Sequence, residues 1–403
     1  MQLRDVEALA SPPGRLLLAS LPEYDPALAA KISQGLKQRG IDPSLVAAAL
    51  TQSRLRLKAT DKFGPFASGL MLTDQGLQQA TRLNVAAHRA GRYRAAGITH
   101  VVDLTCGIGA DAMALAALGL AVTGYEIDPV TAAVARANLE QFDNCEVIQQ
   151  DALTVNLDKD QAILADPSRR QGQRRLSDPA TFAPPLDWLL ELRHRRPLGL
   201  KLAPGLPHAL IPAEAEAQWV SVDGDVVEAS LYFGPLRQAD QPGRTALVIK
   251  RGQAHRLGPD PATQLETKPL DQFIYEPDGA IIRASLMPAA AAQAGLAAGI
   301  VAPRIAYMTA AQAVASSPFL TGYEVLDHFG FQLKRLRQYL RARQVGQLTI
   351  KKRGTAVQPA ELRHRLDLKG SETATIILTR LGQQQSVILV RPISVTQSEE
   401  GHQ

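Results

Sequence analysis

Residues 101–116 read VVDLTCGIGADAMALA. A short β-branched run ends on Asp103, a turn carries Gly107 and Gly109, and an alanine-rich helical run follows at once. Glycines at these positions let the backbone turn tightly and let a ligand approach a helix amino terminus, where N–H groups lack internal partners. Such a unit needs flanking strands, and the chain supplies them. LAVTGYEID follows directly, and further short apolar runs occur at Glu146–Ile148, Ala162–Ala165 and Leu198–Ala203, separated by helix-length segments. The alternation predicts a Rossmann-like, doubly wound parallel α/β sheet. VVEASLYFG and RTALVIKRG read as a terminal pair of strands.

The rest of the 403 residues divides around this core, giving a chain long enough for two or three domains. Residues 1–97 form an amino-terminal helical region, in which DPALAAKISQGLKQRG and PSLVAAALTQSRLRLKA carry Asp-Pro or Pro starts and helical apolar spacing. Residues 98–252 are the α/β domain. Residues 253–320 open with a Gly/Pro-rich loop and continue as an alanine-rich stretch, PDGAIIRASLMPAAAAQAGLAAG, expected as a helical connector. Residues 321–395 alternate strand and helix as a small α+β domain, and 396–403 are a tail.

The formal net charge is +5, compatible with a nucleic-acid partner and insufficient to establish one. Only two cysteines occur, Cys106 and Cys145, without CxxC spacing, so neither a disulfide framework nor a cysteine-based metal site is expected. The first twenty residues lack a basic start followed by an apolar core, and no run approaches bilayer length. The expected location is the cytoplasm, with no membrane and no metal partner.

Four acids fall in register within this one βαβαβ run. Asp103 and Asp111 bracket the glycine turn with negative charge, which suits the ammonium of S-adenosylmethionine (SAM) and would repel a pyrophosphate. Glu126 ends the second strand, where it is placed for ribose hydroxyls, and Asp151 follows the third, where it can accept from an adenine amino group. DLTCGIGAD, GYEIDPVTAAVARANLE and QQDAL, in that order, resemble the first three motifs of the class I SAM-dependent methyltransferases over roughly residues 95–252. The glycine loop is similar to those of RNA methyltransferases, including the trimethylguanosine synthase type. KFGPFA, GLQQATRLNVAAHRA, ADPSRR, LKLAPG, YEPDGAIIRA and the carboxy-terminal α+β unit further resemble bacterial methyltransferases with a THUMP-like carboxy-terminal domain. That resemblance implies SAM as cofactor and raises RNA (tRNA or rRNA) as partner, because THUMP domains are associated with tRNA.

The fourth motif, ILADPSRR at 163–170, departs from the D/N-P-P-aromatic pattern of base-amine methylases. Asp166 keeps a hydrogen-bond acceptor and Pro167 stiffens the turn, while Ser168 and Arg169 replace the second proline and the aromatic. Asp166, Pro167 and Ser168 are the candidate catalytic residues, acting by alignment in an in-line methyl transfer. Arg169, Arg170, Arg174 and Arg175 are either a cationic lip able to stack on bases or pair with phosphate, or a solvated loop. Lys201, at the end of LGLKL, is a further candidate for the cleft. Phe63 and Tyr275 are candidate stacking aromatics, and Glu276 and Asp278 candidate helix caps.

In the carboxy-terminal domain Lys334, Arg335, Arg337, Arg341 and Arg343 share one helix, with IKKRG on the next strand. They form a phosphate-contacting face if the domain binds RNA, and a solvated face otherwise. Two other functions fit the residues: methylation of a small anionic molecule or a protein, with the arginines holding carboxylate or phosphate, and a SAM- or RNA-binding module without turnover.

Overall fold

The computed structural model describes residues 1–158, 161–168, 181–238, 243–260, 264–314 and 317–393, together with the backbone of 170–171 and 174–175. It divides into two compact units. The first comprises Met1–Leu202, Ala209–Glu216 and Ser230–Pro242, and the second Ala203–His208, Ala217–Ala229 and Gly243–Gln403.

The first unit begins with six helices: α1 (Leu3–Ala10), α2 (Pro12–Ala19), α3 (Pro26–Gln38), α4 (Pro43–Phe63), α5 (Asp74–Gln79) and α6 (Leu83–Ala95). Their starts are chemically marked. Ser11 accepts from Gly14 N, Asp25 from Ala27 N, and Asp42 from Ser44 N and Leu45 N, each with proline in the first turn. In α4, Val46, Ala49, Leu55, Ala59 and Phe63 are buried. Phe63, a candidate base-stacking ring, is thus a core residue at 2% exposure.

Five parallel strands follow: β1 (His100–Asp103), β2 (Ala121–Glu126), β3 (Cys145–Gln149), β4 (Ala162–Ala165) and, after a short hairpin of β5 (Arg170–Gln171) and β6 (Arg174–Arg175), β7 (Leu198–Leu202). Helices α7 (Ala110–Ala117), α8 (Pro129–Leu139) and α9 (Leu186–Glu191) lie between them in sequence. The strand order is β7-β4-β1-β2-β3, so the chain reverses direction across the sheet between β1 and β4. Ligands bind at the carboxyl ends of strands flanking such a reversal. Buried Asn138 of α8 ties the helical region to this edge, accepting from Met71 N at 2.7 Å and donating to Met71 O at 3.0 Å and Ile108 O at 2.9 Å.

The second unit contains β8 (Glu216–Val222) from Ala217 on, β9 (Asp225–Phe233) up to Ala229, β10 (Gly243–Lys250) and β11 (Gln253–Leu257), in the order β11-β10-β8-β9. The two strands expected as a pair, β9 and β10, are therefore separated by β8. A seven-stranded sheet follows, built from β12 (Phe273–Pro277), β13 (Gly299–Ile300), β14 (Met308–Ala310), β15 (Leu320–Gly330), β16 (Val345–Lys352), β17 (Glu372–Leu381) and β18 (Gln384–Pro392), ordered β13-β14-β12-β15-β18-β17-β16. The helices of this unit are α10 (Gly279–Arg283), α11 (Met287–Gln293), α12 (Leu333–Ala342) and α13 (Pro359–Leu366). Leu336 and Leu340 of α12 pack with Leu362 and Leu366 of α13 in one core beneath the sheet.

The stretch expected as a helical connector is a helix only in part. β12 pairs antiparallel with β15 and joins the carboxy-terminal sheet. The alanine-rich run is cut into two short helices because Ser285 and Gly295 take positive φ, 58° and 63°. Among the described residues no helix is long and apolar enough to cross a membrane.

Candidate active site

The glycine turn is shaped by φ values of +57° at Gly107 and +86° at Gly109, the latter capping α7. A Cβ at Gly109 would lie 2.9 Å from Leu139 Cδ1, whereas one at Gly107 would meet nothing closer than Thr105 O at 3.9 Å. Gly109 is thus required for packing as well as conformation, while Gly107 leaves its backbone open to a ligand.

The three strand-end acids, and Asp111 in the first turn of α7, do different work. Glu126 accepts from Gly107 N at 3.0 Å and Asp128 N at 2.9 Å, which orients its carboxylate, while burial raises its pKa. Asp103 is 3% exposed and accepts from Thr105 N at 3.1 Å; burial, and then the charge of Asp111, push its pKa up to about 7. Asp111 is ion-paired with Arg89 and accepts from Thr81 Oγ1 at 2.6 Å. Burial opposes its ionisation, but Arg89, Lys201 and the Thr81 hydroxyl outweigh it and hold the carboxyl below its usual value. Asp111 thus carries its negative charge with Arg89 as its counter-charge. Asp151 caps a short 3-10 turn through Leu153 N at 3.0 Å.

All four acids line one cavity of about 680 Å³, together with Gly107, Asp166, Ser168 and Lys201. That volume lies within the usual range for small-molecule sites. The same cavity takes in residues that the sequence reading missed. Ile127 and Leu153 line it beside Glu126 and Asp151 although they are 63% and 48% exposed. Ile127 directly after Glu126, and Leu153 two residues after Asp151, were the available signal. Gln75, Gly76, Gln79, Ala80 and Thr81, from α5 and the turn after it, form another wall.

The acceptor side is organised around Asp166. Its backbone N donates to Thr105 Oγ1 at 2.6 Å, and its carboxylate is ion-paired with Lys201, whose ammonium also donates to Gln79 O at 3.3 Å. Lys201 thus belongs to the cleft. Pro167 is buried, and Ser168 exchanges backbone hydrogen bonds with Ala183, at 2.8 and 3.0 Å. That pairing lays Phe182, Pro184 and Pro185 along the same cavity. An aromatic and two prolines, absent from 168–169, thus line the cavity from positions 182–185. Arg169 lies outside the described residues; Arg170, Arg174 and Arg175 are placed by backbone alone, in the β5–β6 hairpin.

Elsewhere the structure separates exposed candidates from structural ones. Tyr275 is 1% exposed, with its hydroxyl donating to Gln312 O and accepting from Val314 N, both at 3.0 Å. Asp278 caps α10, and Glu276 is ion-paired with Lys351. On α12, Lys334 and Arg335 are exposed, with the Arg335 guanidinium over the Phe329 ring. Arg337 donates to Arg365 O and Arg341 to Asp367 O, so these two close the carboxyl end of α13. Arg343 sits over the Tyr339 ring.

This geometry can be set beside known proteins. A family model described as a SAM-dependent methyltransferase matches residues 44–171, one described as THUMP domain-like matches 320–392, and a domain of unknown function matches 2–59. Two proteins named as uncharacterized SAM-dependent methyltransferases, from Mycobacterium tuberculosis strains CDC 1551 and H37Rv, are each 34% identical over 337 residues, covering 81% of this chain and 91% of theirs. The chain belongs to the SAM-dependent methyltransferases. A crystal structure from Porphyromonas gingivalis W83, assigned as a methyltransferase, has the same fold, with TM-score 0.66 and 20% identity over 93% of this chain and all of that one.

The methyltransferase's cavity fits its cofactor. Asp103 is a buried acid with a raised pKa, an arrangement that a bound cation relieves. Gly107 permits close backbone approach, and Glu126 is pre-oriented by two N–H groups.

Proposed function

We propose that this methyltransferase acts on RNA, and that Asp166, Pro167 and Ser168 hold the acceptor against the cofactor. The observation that carries the reading is Asp166 itself: its carboxylate is ion-paired with Lys201 and its backbone N–H donates to Thr105 Oγ1, in one cavity with Asp103, Asp111, Glu126, Asp151 and the Phe182–Pro185 wall. In this reading Glu126 holds the ribose hydroxyls, Asp151 the adenine amino group, Ile127 and Leu153 flank the adenine, and Asp103 meets the ammonium.

SAM supplies an electrophilic methyl whose transfer breaks the carbon–sulfur bond, leaves the electron pair on sulfur, and forms the bond to the acceptor. The protein's part is alignment and proton handling. Lys201 holds the Asp166 carboxylate in place through their ion pair, and that carboxylate accepts a hydrogen bond from the acceptor and orients its lone pair. Phe182 with Pro184 and Pro185 offers an apolar wall for a flat base, and the arginines after Ser168 supply phosphate contacts.

The domain division suits this. Residues 1–97 close the pocket, 98–252 hold the cofactor, and 321–395, whose sheet also takes in β12 to β14 from the 253–320 stretch, grip RNA. The THUMP domain-like match and the exposed Lys334 and Arg335 support the last assignment. Filter binding of bulk tRNA across a salt series tests it. Affinity should fall steeply with salt, and Lys334→Glu with Arg335→Glu should weaken binding and flatten the slope by about 2. Salt-insensitive binding, or no effect of the charge reversals, contradicts the RNA assignment.

A further inference from the structure

We propose that Lys62 is a positioning residue for methyl transfer: it clamps the carboxyl end of α5, and through Gln79 and Lys201 that clamp sets the position of Asp166. KFGPFA drew attention to its aromatic ring, but the preceding lysine makes the connection.

Lys62 stands in the last turn of α4, and its ammonium donates to Leu77 O at 2.7 Å, Gln78 O at 2.9 Å and Ala80 O at 2.7 Å. All three of its N–H groups are thereby engaged. The carbonyl it passes over, Gln79 O, accepts from Lys201 at 3.3 Å. Every carbonyl from 77 to 80 therefore ends on one of two ammonium groups. Helix α5 has only six residues, too few to hold its shape unaided, and the orphan carbonyls at its carboxyl end attract cations. The clamped segment is also a wall of the active cavity, through Gln79 and Ala80. On its other side Thr81 donates to Asp111. Lys201 thus draws on Gln79 O and the Asp166 carboxylate together, and a shift of residues 77–80 changes where it holds Asp166.

The charges around Lys62 make the clamp sensitive to pH. Lys201 on β7 and Arg82 ahead of α6 face it, Asp166 lies behind Lys201, and Arg82 is itself directed to Asp61 O at 2.9 Å. Among the described residues no carboxylate is ion-paired with Lys62. Burial, followed by Lys201 and Arg82, lowers its pKa to about 8. Below that pH the ammonium holds three carbonyls. Above it the neutral amine has two donors, and the clamp loosens.

The test compares wild type, Lys62→Met and Lys62→Arg as full chains. Tritiated SAM is supplied with two acceptor pools, total RNA and a deproteinised extract, both from cells lacking the gene. Lys62→Met should lower kcat tenfold or more while SAM affinity by calorimetry changes less than threefold. Lys62→Arg should recover most of kcat and keep the rate level to pH 9, where wild type has declined. Hydrogen exchange with SAM present should be faster at 79–82 in Lys62→Met and unchanged in the parallel sheet. Wild-type kcat in Lys62→Met, the same alkaline decline in wild type and Lys62→Arg, or a variant altered only in melting temperature overturns the proposal. Transfer into the extract but not RNA defeats the RNA reading and leaves the Lys62 comparison intact. If neither pool accepts label, unchanged exchange at 79–82 overturns it.

Discussion

Arg89 is ion-paired with Asp111 beneath the glycine turn, so the second acid flanking that turn carries its own counter-charge. Asp103 is the acid left with a raised pKa, about 7. A bound cation favours its ionised form. SAM affinity should therefore be level above pH 7 and fall by roughly tenfold per unit below it. For the free protein the sign is opposite. A carboxyl whose pKa is raised on folding contributes stability that is full below its usual value and is lost as pH rises through about 7. Calorimetry from pH 5.5 to 8.5, on wild type and Asp103→Asn, checks both. A variant that binds as tightly, with the same pH curve, contradicts the assignment.

Glu126 is held by the N–H groups of Gly107 and Asp128, so it meets ribose hydroxyls already oriented. Glu126→Ala should cost about 2–4 kcal/mol of SAM binding, as expected for two charge-assisted hydrogen bonds. Equilibrium dialysis with labelled SAM measures this. Unchanged retention refutes the ribose assignment.

Gly109→Ala combines two faults, a positive φ of +86° and a Cβ 2.9 Å from Leu139 Cδ1. The conformational cost alone is about 1–2 kcal/mol. Thermal melts should show a loss that Leu139→Ala does not repair, because relieving the contact leaves the backbone angle in place. Full recovery in the double variant would assign the cost to packing instead.

The parallel sheet and the acids at its strand ends could be read from sequence, because each is local: strand, turn and helix follow one another, and the acid sits where the strand stops. What escaped depends on distant pairing. Arg89 and Asp111 are 22 residues apart in the chain, and Ser168 pairs with Ala183 across a hairpin. Nothing adjacent to ADPSRR announces that Phe182 and two prolines line the same cavity. Phe63 and Tyr275 were ambiguous for the converse reason: an aromatic beside glycine or proline looks the same in sequence whether it faces solvent or core. The strand at 273–277 was absorbed into a helical expectation by the alanine run that follows it.

The basic residues of α12 divide by what they touch. Arg337 donates to Arg365 O and so supports α13, whereas Lys334 is exposed. Arg337→Ala should destabilise the carboxy-terminal domain by about 1–2 kcal/mol. Lys334→Ala should leave the melt unchanged and weaken tRNA binding. Denaturant melts run beside filter binding separate the two; the reverse pattern would contradict this division of roles.

The central claim is that the cavity at Asp103, Glu126 and Asp166 methylates RNA. Mass spectrometry of nucleosides from cells with the gene, without it, and carrying Asp166→Ala measures the product itself. One methylated nucleoside present with the gene, absent without it and strongly reduced in Asp166→Ala is the predicted result. Identical nucleoside profiles in all three would contradict it.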